Sequence, residues 1–415
     1  MVFVEFDDYG NPLNRAQMLG AVDAASEFAS AGGTVLVYVH GWHNDAQDKA
    51  PNVGGFKELI ERASKIDRNF RPNHDGSGKI LGIYVGWRGD SIPSTGFWTP
   101  LSYLLTFWNR KSAAHDIGAS GGVYDLLSRL STLRETHGQS RLLIHGHSFG
   151  AAVVFSTLSH TLMDQIRLDR VASPDTPPRV ADLVLLVNPA FEAMKLRPQM
   201  DLARSQEYLL DNPPRLVIVT TEADWATASA FPLGRAFGTL FDAYADAQAP
   251  SQNTTALGHY IPYVTHQLTK PQGGMCDGAK ARTDIPPTPQ LQSPTAPEMI
   301  ANSTRALIDK NEPTWCVPAL AMIDGAIPLQ LQRCDEPGQC AVVAGDHYIR
   351  RGLMAQGYVP YRLPIMNIRT TEDVSAGHTD IRNPVLENFV LQLLALALQS
   401  PHLVPMAPVA PIQPM

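Results

Sequence analysis

The chain carries few charges for its length. Its 33 lysines and arginines and 40 aspartates and glutamates make up 18% of 415 residues and give a net charge of −7. Hydrophobic residues reach 44%, which excludes a disordered or coiled-coil chain and predicts a sizeable buried core. No basic run occurs, so we expect no nucleic-acid partner.

Long apolar runs are also absent. The most apolar stretch, 389–398, has about half of the ~20 residues that a transmembrane helix needs, so we expect no membrane-spanning segment. The opening residues, M-V-F-V-E-F-D-D, carry acids where a signal peptide has basic residues followed by an apolar segment. This favours a cytoplasmic protein. A secreted or envelope-associated protein is the alternative if a signal peptide has been removed.

Cysteines are scarce: the sequence has four, Cys276, Cys316, Cys334 and Cys340. Four are too few for a disulfide scaffold of this length, and no C-x-x-C pair suggests zinc or redox chemistry. Cys334 and Cys340 could close the polar loop D-E-P-G-Q in an oxidising compartment, or both could remain thiols.

Short apolar runs alternate with helical patterns in the first half of the chain. Continuous runs rich in valine, isoleucine and leucine are typical of buried parallel strands. Alternation with helices predicts an α/β protein with a doubly wound, mostly parallel sheet. The predicted strands are 2–6, 35–39, 80–85, 141–144, 183–187 and 216–219, and the predicted helices between them are 13–30, 54–66, 120–136 and 150–163.

Proline and glycine interrupt this pattern after residue 225. The sequence has 33 prolines and 31 glycines, and many of the prolines fall in 226–359 and in the tail 401–415. A long stretch without helix or strand pattern is usually a lid or an insertion. A strand at 363–368 and a helix at 384–399 then resume the alternation. We therefore predict one α/β domain, 1–225 with 360–400, an insertion or lid at 226–359, and a proline-rich tail at 401–415.

The strongest local motif is G-H-S-F-G at 146–150. It lies between an apolar strand and a helix of small residues. A serine on such a sharp strand-to-helix turn projects its hydroxyl above the sheet, and glycines two residues away on either side avoid a steric clash. The N-terminus of the following helix points N–H groups at a developing oxyanion. Ser148 is therefore the candidate nucleophile.

A second motif, V-L-V-Y-V-H-G-W-H-N at 35–44, ends a buried strand upstream of the serine. In this architecture the loop after such a strand supplies the second oxyanion donor, so we expect the amides of Trp42 and Phe149 to act together. His40 and His43 also suggest a metal site, but no third ligand follows at a suitable spacing. We expect no metal, and a structural role for His40 in holding the loop.

A nucleophilic serine needs a base and a group that orients the base, and here the order along the chain is nucleophile, acid, histidine. Asp224 and Glu222 both follow the strand 216–219, and Asp224, farther past its end, is the preferred acid. Asp224 could instead make an Asx turn for the next segment. His378 follows the last strand and is the preferred base. His259 and His266, inside the insertion, are the alternatives as base or as pocket residues.

With these motifs the chain resembles the α/β-hydrolase family of serine esterases and lipases, and looks closest to bacterial esterase-like members that carry H-G-W-H-N and G-H-S-F-G together. The resemblance covers about 30–225 and 360–400. It implies Ser148 as nucleophile, Asp224 as acid, His378 as base and the amides of Trp42 and Phe149 as oxyanion hole, with no cofactor. The insertion departs from the family plan, because it falls between the acid and the histidine.

The resemblance implies cleavage of a carboxylic ester through an acyl-enzyme. The aromatic stretch 95–108 could line an acyl pocket, meet a lipid surface or form a plain core helix, and the insertion adds Tyr260, Tyr263 and Trp315. We expect a modest ester with an apolar acyl or aryl group. Lipids, polyesters, thioesters and amides are alternative substrates for the same machinery, and a non-catalytic binding protein is the alternative class. No feature of the sequence predicts an oligomeric state.

Overall fold

We describe a computed structural model of the chain over most of its length. The described residues are 1–41, 50–71, 75–87, 100–168, 179–205, 214–232, 235, 239, 242–244, 246–271, 314–317, 323–336, 339–340 and 364–399. The backbone alone is described at 70, 100–108, 230, 314–317, 333, 335–336, 339–340, 396 and 399. The side chains of the aromatic stretch 95–108 and of Trp315, and the whole tail 401–415, lie outside this description.

A single large sheet organises the described residues. Its eleven strands follow the order β1-β3-β2-β4-β5-β6-β11-β7-β9-β10, and β8 pairs with β9. Pairing is parallel from β1 through to β7 and antiparallel around β9. The strands are β1 Val2–Phe6, β2 Thr34–Val39, β3 Ile80–Trp87, β4 Arg141–His147, β5 Leu183–Val187, β6 Leu216–Thr221, β7 His266–Thr269, β8 Thr314–Val317, β9 Leu329–Glu336, β10 Gln339–Cys340 and β11 Ile365–Thr370.

Helices cover both faces of this sheet. The longer ones are α1 Arg15–Ser30, α2 Pro51–Phe70, α3 Pro100–Ala119, α4 Gly122–Thr136, α5 Phe149–Leu168, α6 Arg197–Arg204, α7 Ala249–Thr254 and α8 Pro384–Gln399. Among the described helices, none is both long enough and apolar enough to cross a bilayer.

The central strands are buried on both faces, as β2 illustrates. Val35, Val37 and Val39 pack into the core under α1, α4 and α5. Leu36 and Tyr38, which point the other way, pack into a second core with residues of α2 and α8. Successive strand residues face opposite sides, so a strand between two helix layers must be apolar throughout. The prediction of an α/β protein with a mostly parallel sheet and helices on both faces is confirmed.

The predicted insertion contributes strands to the same sheet. Within 226–359 the structure has β7, β8, β9 and β10, and β7 pairs in parallel with β11 through Ile368 and His266. Sequence patterns did not predict these strands, because β7 and β9 alternate polar and apolar residues instead of forming an apolar run. Leu268, Leu329 and Leu331 bury one face of them. The division into domains stays a prediction.

One cysteine in this region is oxidised. Cys334 on β9 is disulfide-bonded, so of the two states left open for it the thiol is wrong. In the β9–β10 ladder the backbone of Cys340 lies directly opposite that of Cys334.

Candidate active site

Ser148 occupies a strained corner between β4 and α5. Its φ is 57°, and among the described residues the other non-glycine with a positive φ is Asn188. The left-handed conformation costs a non-glycine residue roughly 1–2 kcal/mol, so surrounding contacts must maintain it. The amide of Ser148 donates to the carbonyl of Val187 at 3.0 Å, and its carbonyl accepts from the amide of Ala190 at 3.3 Å. The corner is thus tied to the end of the neighbouring strand β5.

The two motif glycines allow the chain to turn this tightly. A Cβ on Gly150 would lie 2.1 Å from the carbonyl oxygen of Val39, and one on Gly146 would lie 2.8 Å from the Cα of Ala151. Both distances are far inside van der Waals contact with backbone atoms, which cannot rotate away. Helix α5 can therefore begin directly against the end of β2 only with glycine at these positions.

Ser148, His378 and Asp224 form a continuous chain of hydrogen bonds. The Nε2 atom of His378 lies 2.7 Å from Oγ of Ser148, and its Nδ1 lies 2.7 Å from Oδ2 of Asp224. The three residues come from loops after β4, β6 and β11. These parallel strands end at one edge of the sheet, which is where α/β proteins collect functional side chains. Ser148 and Asp224 are buried, and the side chain of His378 is 21% exposed.

Asp224 is held as an ionised carboxylate. Burial alone would raise its pKa, but hydrogen bonds from His378 and Thr227 outweigh burial and lower the pKa below the usual value. Its Oδ1 accepts from the amide of Thr227 at 3.1 Å while Oδ2 faces His378. The Asx-turn role considered for Asp224 and the contact with the histidine therefore coexist, one on each oxygen.

Two residues hold the backbone of His378 in place. Sequence patterns indicated neither of them. The carbonyl oxygen of His378 accepts from Nε2 of His147 at 3.0 Å and from Nδ2 of Asn188 at 2.9 Å. Burial lowers the pKa of His147 to about 3, so its ring is neutral, and Nε2 carries the proton because a carbonyl only accepts. The adjacency of His147 to Ser148 was the one available sequence signal.

Asn188 connects the ends of three strands. It follows β5 directly, and its side-chain Oδ1 accepts from the backbone amide of Thr221 on β6 at 3.1 Å. Its backbone amide donates to the carbonyl of Val219, also on β6, at 2.8 Å. Its φ of 46° turns the side chain into this position. Asparagine tolerates the left-handed region better than most residues. The side chain thus fixes the loop of His378 relative to the loop of Asp224.

The alternative acid and bases lie elsewhere. Glu222 is 36% exposed and faces Arg369 at 3.4 Å. His259 lies behind Asp224, with Nε2 2.9 Å from Oγ1 of Thr227, and burial lowers its pKa to about 4. His266 lies on β7, with Nδ1 2.8 Å from Oγ1 of Thr265.

The His-Gly segment after β2 reaches the serine. A Cβ on Gly41 would lie 2.7 Å from the Cβ of Ser148, so the backbone passes directly over the corner. His40 is fully buried, with Nδ1 2.8 Å from the carbonyl of Gly41 and Nε2 accepting from the amide of Trp87 at 3.1 Å. Both ring nitrogens of His40 therefore hold this loop. Trp42 and His43 lie outside the described residues.

Phe149 is the first residue of α5, and the amides of a first helical turn point out of the N-terminus. This places its backbone at the serine corner, where one of the two oxyanion donors is expected. Among the described residues, no group of three histidine, cysteine, aspartate or glutamate side chains could hold a metal ion.

Comparisons with known proteins give only a weak structural similarity. No family model and no curated protein matches the chain. Among solved structures it is similar to phospholipase PlaB from Legionella pneumophila, determined in complex with thio-NAD, with 11% identity and a TM-score of 0.24. The aligned region covers 57% of this chain and 45% of that chain, so the chain spans less than half of the phospholipase. A similarity of this size establishes neither a shared fold nor a shared activity.

Proposed function

We propose that the protein is a serine hydrolase that cleaves carboxylic esters through a Ser148-His378-Asp224 triad. One observation carries the proposal: the two ring nitrogens of His378 lie 2.7 Å from Ser148 Oγ and 2.7 Å from Asp224 Oδ2. Nucleophile, base and orienting carboxylate require this order of contacts. The strained turn at Ser148 and the ionised state of Asp224 support it.

The first half of the reaction forms an acyl-enzyme. Ser148 Oγ attacks the ester carbonyl while its proton passes to Nε2 of His378, and Asp224 stabilises the imidazolium through Nδ1. The oxyanion is stabilised by the amides of Phe149 and Trp42. The C–O bond then breaks, and the proton on Nε2 transfers to the leaving alcohol.

The second half releases the acid. Water gives a proton to His378 Nε2 and attacks the acyl carbon, and the proton then returns to Ser148 Oγ as the acyl bond breaks. No metal or organic cofactor takes part in either half. His147 and Asn188 act as positioning residues, because they hold the backbone of His378 and not the reacting atoms.

We further propose that the chain has the α/β-hydrolase fold, with the insertion at 226–359 and the tail at 401–415 added to it. Two features support this. The chain order is Ser148, Asp224, His378, and the serine lies on a strand-to-helix turn beside the loop that follows β2. The strands within the insertion extend the sheet beyond β11.

A small ester with an apolar acyl or aryl group is the substrate class we propose. Trp225, next to Asp224 in the chain, is 68% exposed. An exposed indole beside a polar site is a suitable contact for an apolar substrate group. The aromatic residues of 95–108 are consistent with the same preference.

Replacement of the serine tests the proposal. Hydrolysis of a short p-nitrophenyl ester by Ser148→Ala should fall by roughly three to six orders of magnitude, since triad members act as a unit. Ser205→Ala, at an exposed serine after α6, is the matched control and should retain activity. A fluorophosphonate probe should label the wild type and Ser205→Ala but not Ser148→Ala.

Two outcomes would redirect the assignment. Activity that survives in Ser148→Ala rules out this nucleophile. A wild type that neither hydrolyses esters, thioesters and amides nor reacts with the probe indicates a non-catalytic binding protein. A series of esters from short to long acyl chains defines the substrate class, because a preference for long emulsified esters would make the enzyme a lipase.

A further inference from the structure

A second buried polar cluster surrounds a cavity away from Ser148. The cavity has a volume of about 460 Å³ and is lined by residues of α3, of the segment after β5, and by Arg235 and Asn253. His115 on α3 reaches Ser156 on α5, with Nδ1 2.8 Å from Oγ. Ser156 is eight residues beyond Ser148, about 12 Å along the helix axis. The cavity is therefore separate from the serine corner.

Cations outnumber anions among the residues that line this cavity. The ammonium of Lys111 lies 2.6 Å and the guanidinium of Arg235 3.0 Å from the same oxygen, Oε1 of Glu192. Lys195 adds a third cation and is exposed at the rim. The cavity lining thus holds three cations and one carboxylate, which gives it an electrostatic preference for an anion.

Two buried atoms in the cavity wall lack hydrogen-bond partners among the described residues. They are Oε2 of Glu192, whose side chain is 3% exposed, and Nε2 of His115. Burial lowers the pKa of His115 to about 3, so the ring is neutral. We assign its proton to Nε2, because the hydroxyl of Ser156 can donate to Nδ1. An acceptor and a donor are therefore left unmatched side by side.

The spacing of these two atoms fits one hydroxyl group. They are 4.0 Å apart, so a single oxygen can lie at hydrogen-bond distance, about 2.8 Å, from both. Such a hydroxyl would accept from Nε2–H of His115 and donate to Oε2 of Glu192. Buried polar groups without partners are costly, and a ligand that supplies both contacts removes that cost.

We propose that this cavity binds a phosphate group that carries or adjoins one hydroxyl. Monohydrogen phosphate has this composition, with one P–OH for the His115–Glu192 pair and three oxygens that accept from Lys195 and Arg235. A hydroxylated phosphomonoester offers the same contacts, and the volume leaves room for its organic part, since small-molecule sites range over about 300–1,000 Å³. Sulfate has the same shape but no hydroxyl at neutral pH, so it cannot satisfy Glu192.

Calorimetry on the full-length protein tests this site with three probes at equal ionic strength: inorganic phosphate, sulfate and glycerol 3-phosphate. We expect phosphate to bind with a dissociation constant below about 1 mM and sulfate to bind at least about tenfold more weakly, because it leaves a buried carboxylate oxygen without a donor. Tighter binding of glycerol 3-phosphate than of phosphate identifies a phosphomonoester as the ligand. The reverse order identifies free phosphate.

Variants separate the cavity from general anion binding. Lys195→Gln, an exposed change, should weaken phosphate binding about tenfold, since it removes one charge-assisted contact. Lys65→Gln removes another exposed lysine, on α2, and should leave the affinity unchanged. Glu192→Gln presents an amide donor, so if it folds it should bind sulfate better than the wild type does. If Glu192→Gln does not fold, the comparison of Lys195→Gln with Lys65→Gln decides.

Two results would overturn the proposal. One is the absence of a binding signal for phosphate and for glycerol 3-phosphate at 10 mM, about ten times the highest dissociation constant expected. The other is binding that is equal for phosphate and sulfate and insensitive to Lys195→Gln. Neither result bears on ester hydrolysis, because the proposal does not depend on the serine corner.

Discussion

Helix α5 connects two buried polar clusters that differ in how completely their atoms are paired. At its N-terminus, both ring nitrogens of His378 and both oxygens of Asp224 have partners within the protein. Two turns further on, Nε2 of His115 and Oε2 of Glu192 have none among the described residues. Both clusters are buried, so exposure to water does not explain the difference.

The difference indicates two kinds of site. A cluster whose donors and acceptors already match each other is rigid, and it can act on a reacting group without reorganising. A cluster with an unmatched donor and acceptor gains stability when a ligand matches them. This difference is what we expect if, as proposed, the serine corner acts on a substrate and the cavity binds a ligand.

The largest effect on activity should come from replacing Asp224, the proposed acid of the cluster at Ser148. Asp224→Asn leaves the volume and the Thr227 contact in place but cannot hold His378 in the required tautomer. We expect kcat for a p-nitrophenyl ester to fall by roughly 10⁴-fold, the size seen for this change in a serine protease triad. Steady-state kinetics on the purified variant measure it.

Glu222→Gln is the matched control for that prediction. Glu222 is 36% exposed and pairs with Arg369, so its loss should change kcat by less than about twofold, as expected of an exposed ion pair. If Glu222→Gln lost activity and Asp224→Asn kept it, the acid of the proposed triad would have to be reassigned.

A smaller effect should follow from removing a hydrogen bond to the backbone of His378 while its side chain stays unchanged. Asn188→Gly removes the side chain that holds the carbonyl of His378, and glycine accepts the φ of 46° without strain. We expect kcat to fall by about 10- to 100-fold, because small displacements of a catalytic group are expensive. KM should change little, since Asn188 holds the backbone of His378 and belongs to neither the proposed triad nor the proposed oxyanion hole.

Asn188→Ala separates the effect of a misplaced His378 from the effect of backbone strain at residue 188. It also removes the hydrogen bonds but strains the backbone, so its activity should be no higher than that of Asn188→Gly and its thermal stability lower. Wild-type kcat in both variants would show that His147 alone positions the His378 loop.

Sequence patterns predicted the serine corner well because local rules govern it. A buried strand, a turn with glycines at 146 and 150 and a helix follow one another within the chain, and steric conflict leaves few alternatives. Chain order then indicated the loops of Asp224 and His378. The same rules carried no information about Asn188, whose contacts join the loops after three different strands.

The cavity and the strands at the far edge of the sheet could not be predicted for the same reason. Lys111 lies on α3, Glu192 follows β5 and Arg235 follows β6, so their contacts depend on how these three distant segments pack together. Strand β7 has one buried apolar residue, Leu268, and forms because β11 offers an unpaired edge. Tertiary contact determines both features.

Both clusters contain a neutral buried histidine, and this predicts acid sensitivity. Burial lowers the pKa of His147 and of His115 to about 3, whereas an unfolded histidine titrates near 6.5. Between these values the unfolded state binds more protons, so stability is lost as pH falls below about 6.5. Each such histidine contributes about 1.4 kcal/mol per pH unit, or about tenfold in the folding equilibrium.

Urea unfolding at pH 7, 6 and 5 measures this slope. His115→Gln should reduce it by about one proton, 1.4 kcal/mol per pH unit. His160→Gln, at an exposed histidine on α5, is the matched substitution with which the result is compared. A slope unaffected by His115→Gln would mean that this histidine takes up a proton in the folded protein, and the neutral ring assigned to the cavity would be wrong.

The smallest effect should be that of phosphate in the cavity on ester hydrolysis at Ser148. At about 12 Å along α5, and with charges screened over about 8 Å at physiological ionic strength, phosphate in the cavity should change kcat/KM for ester hydrolysis by less than about twofold. Sulfate at equal ionic strength is the control, and Lys195→Gln distinguishes site binding from a general salt effect. A change above about tenfold that Lys195→Gln abolishes would show that the clusters are coupled. The packed interface of α3 with α5, through His115 and Ser156, would then be the first place to look for that coupling.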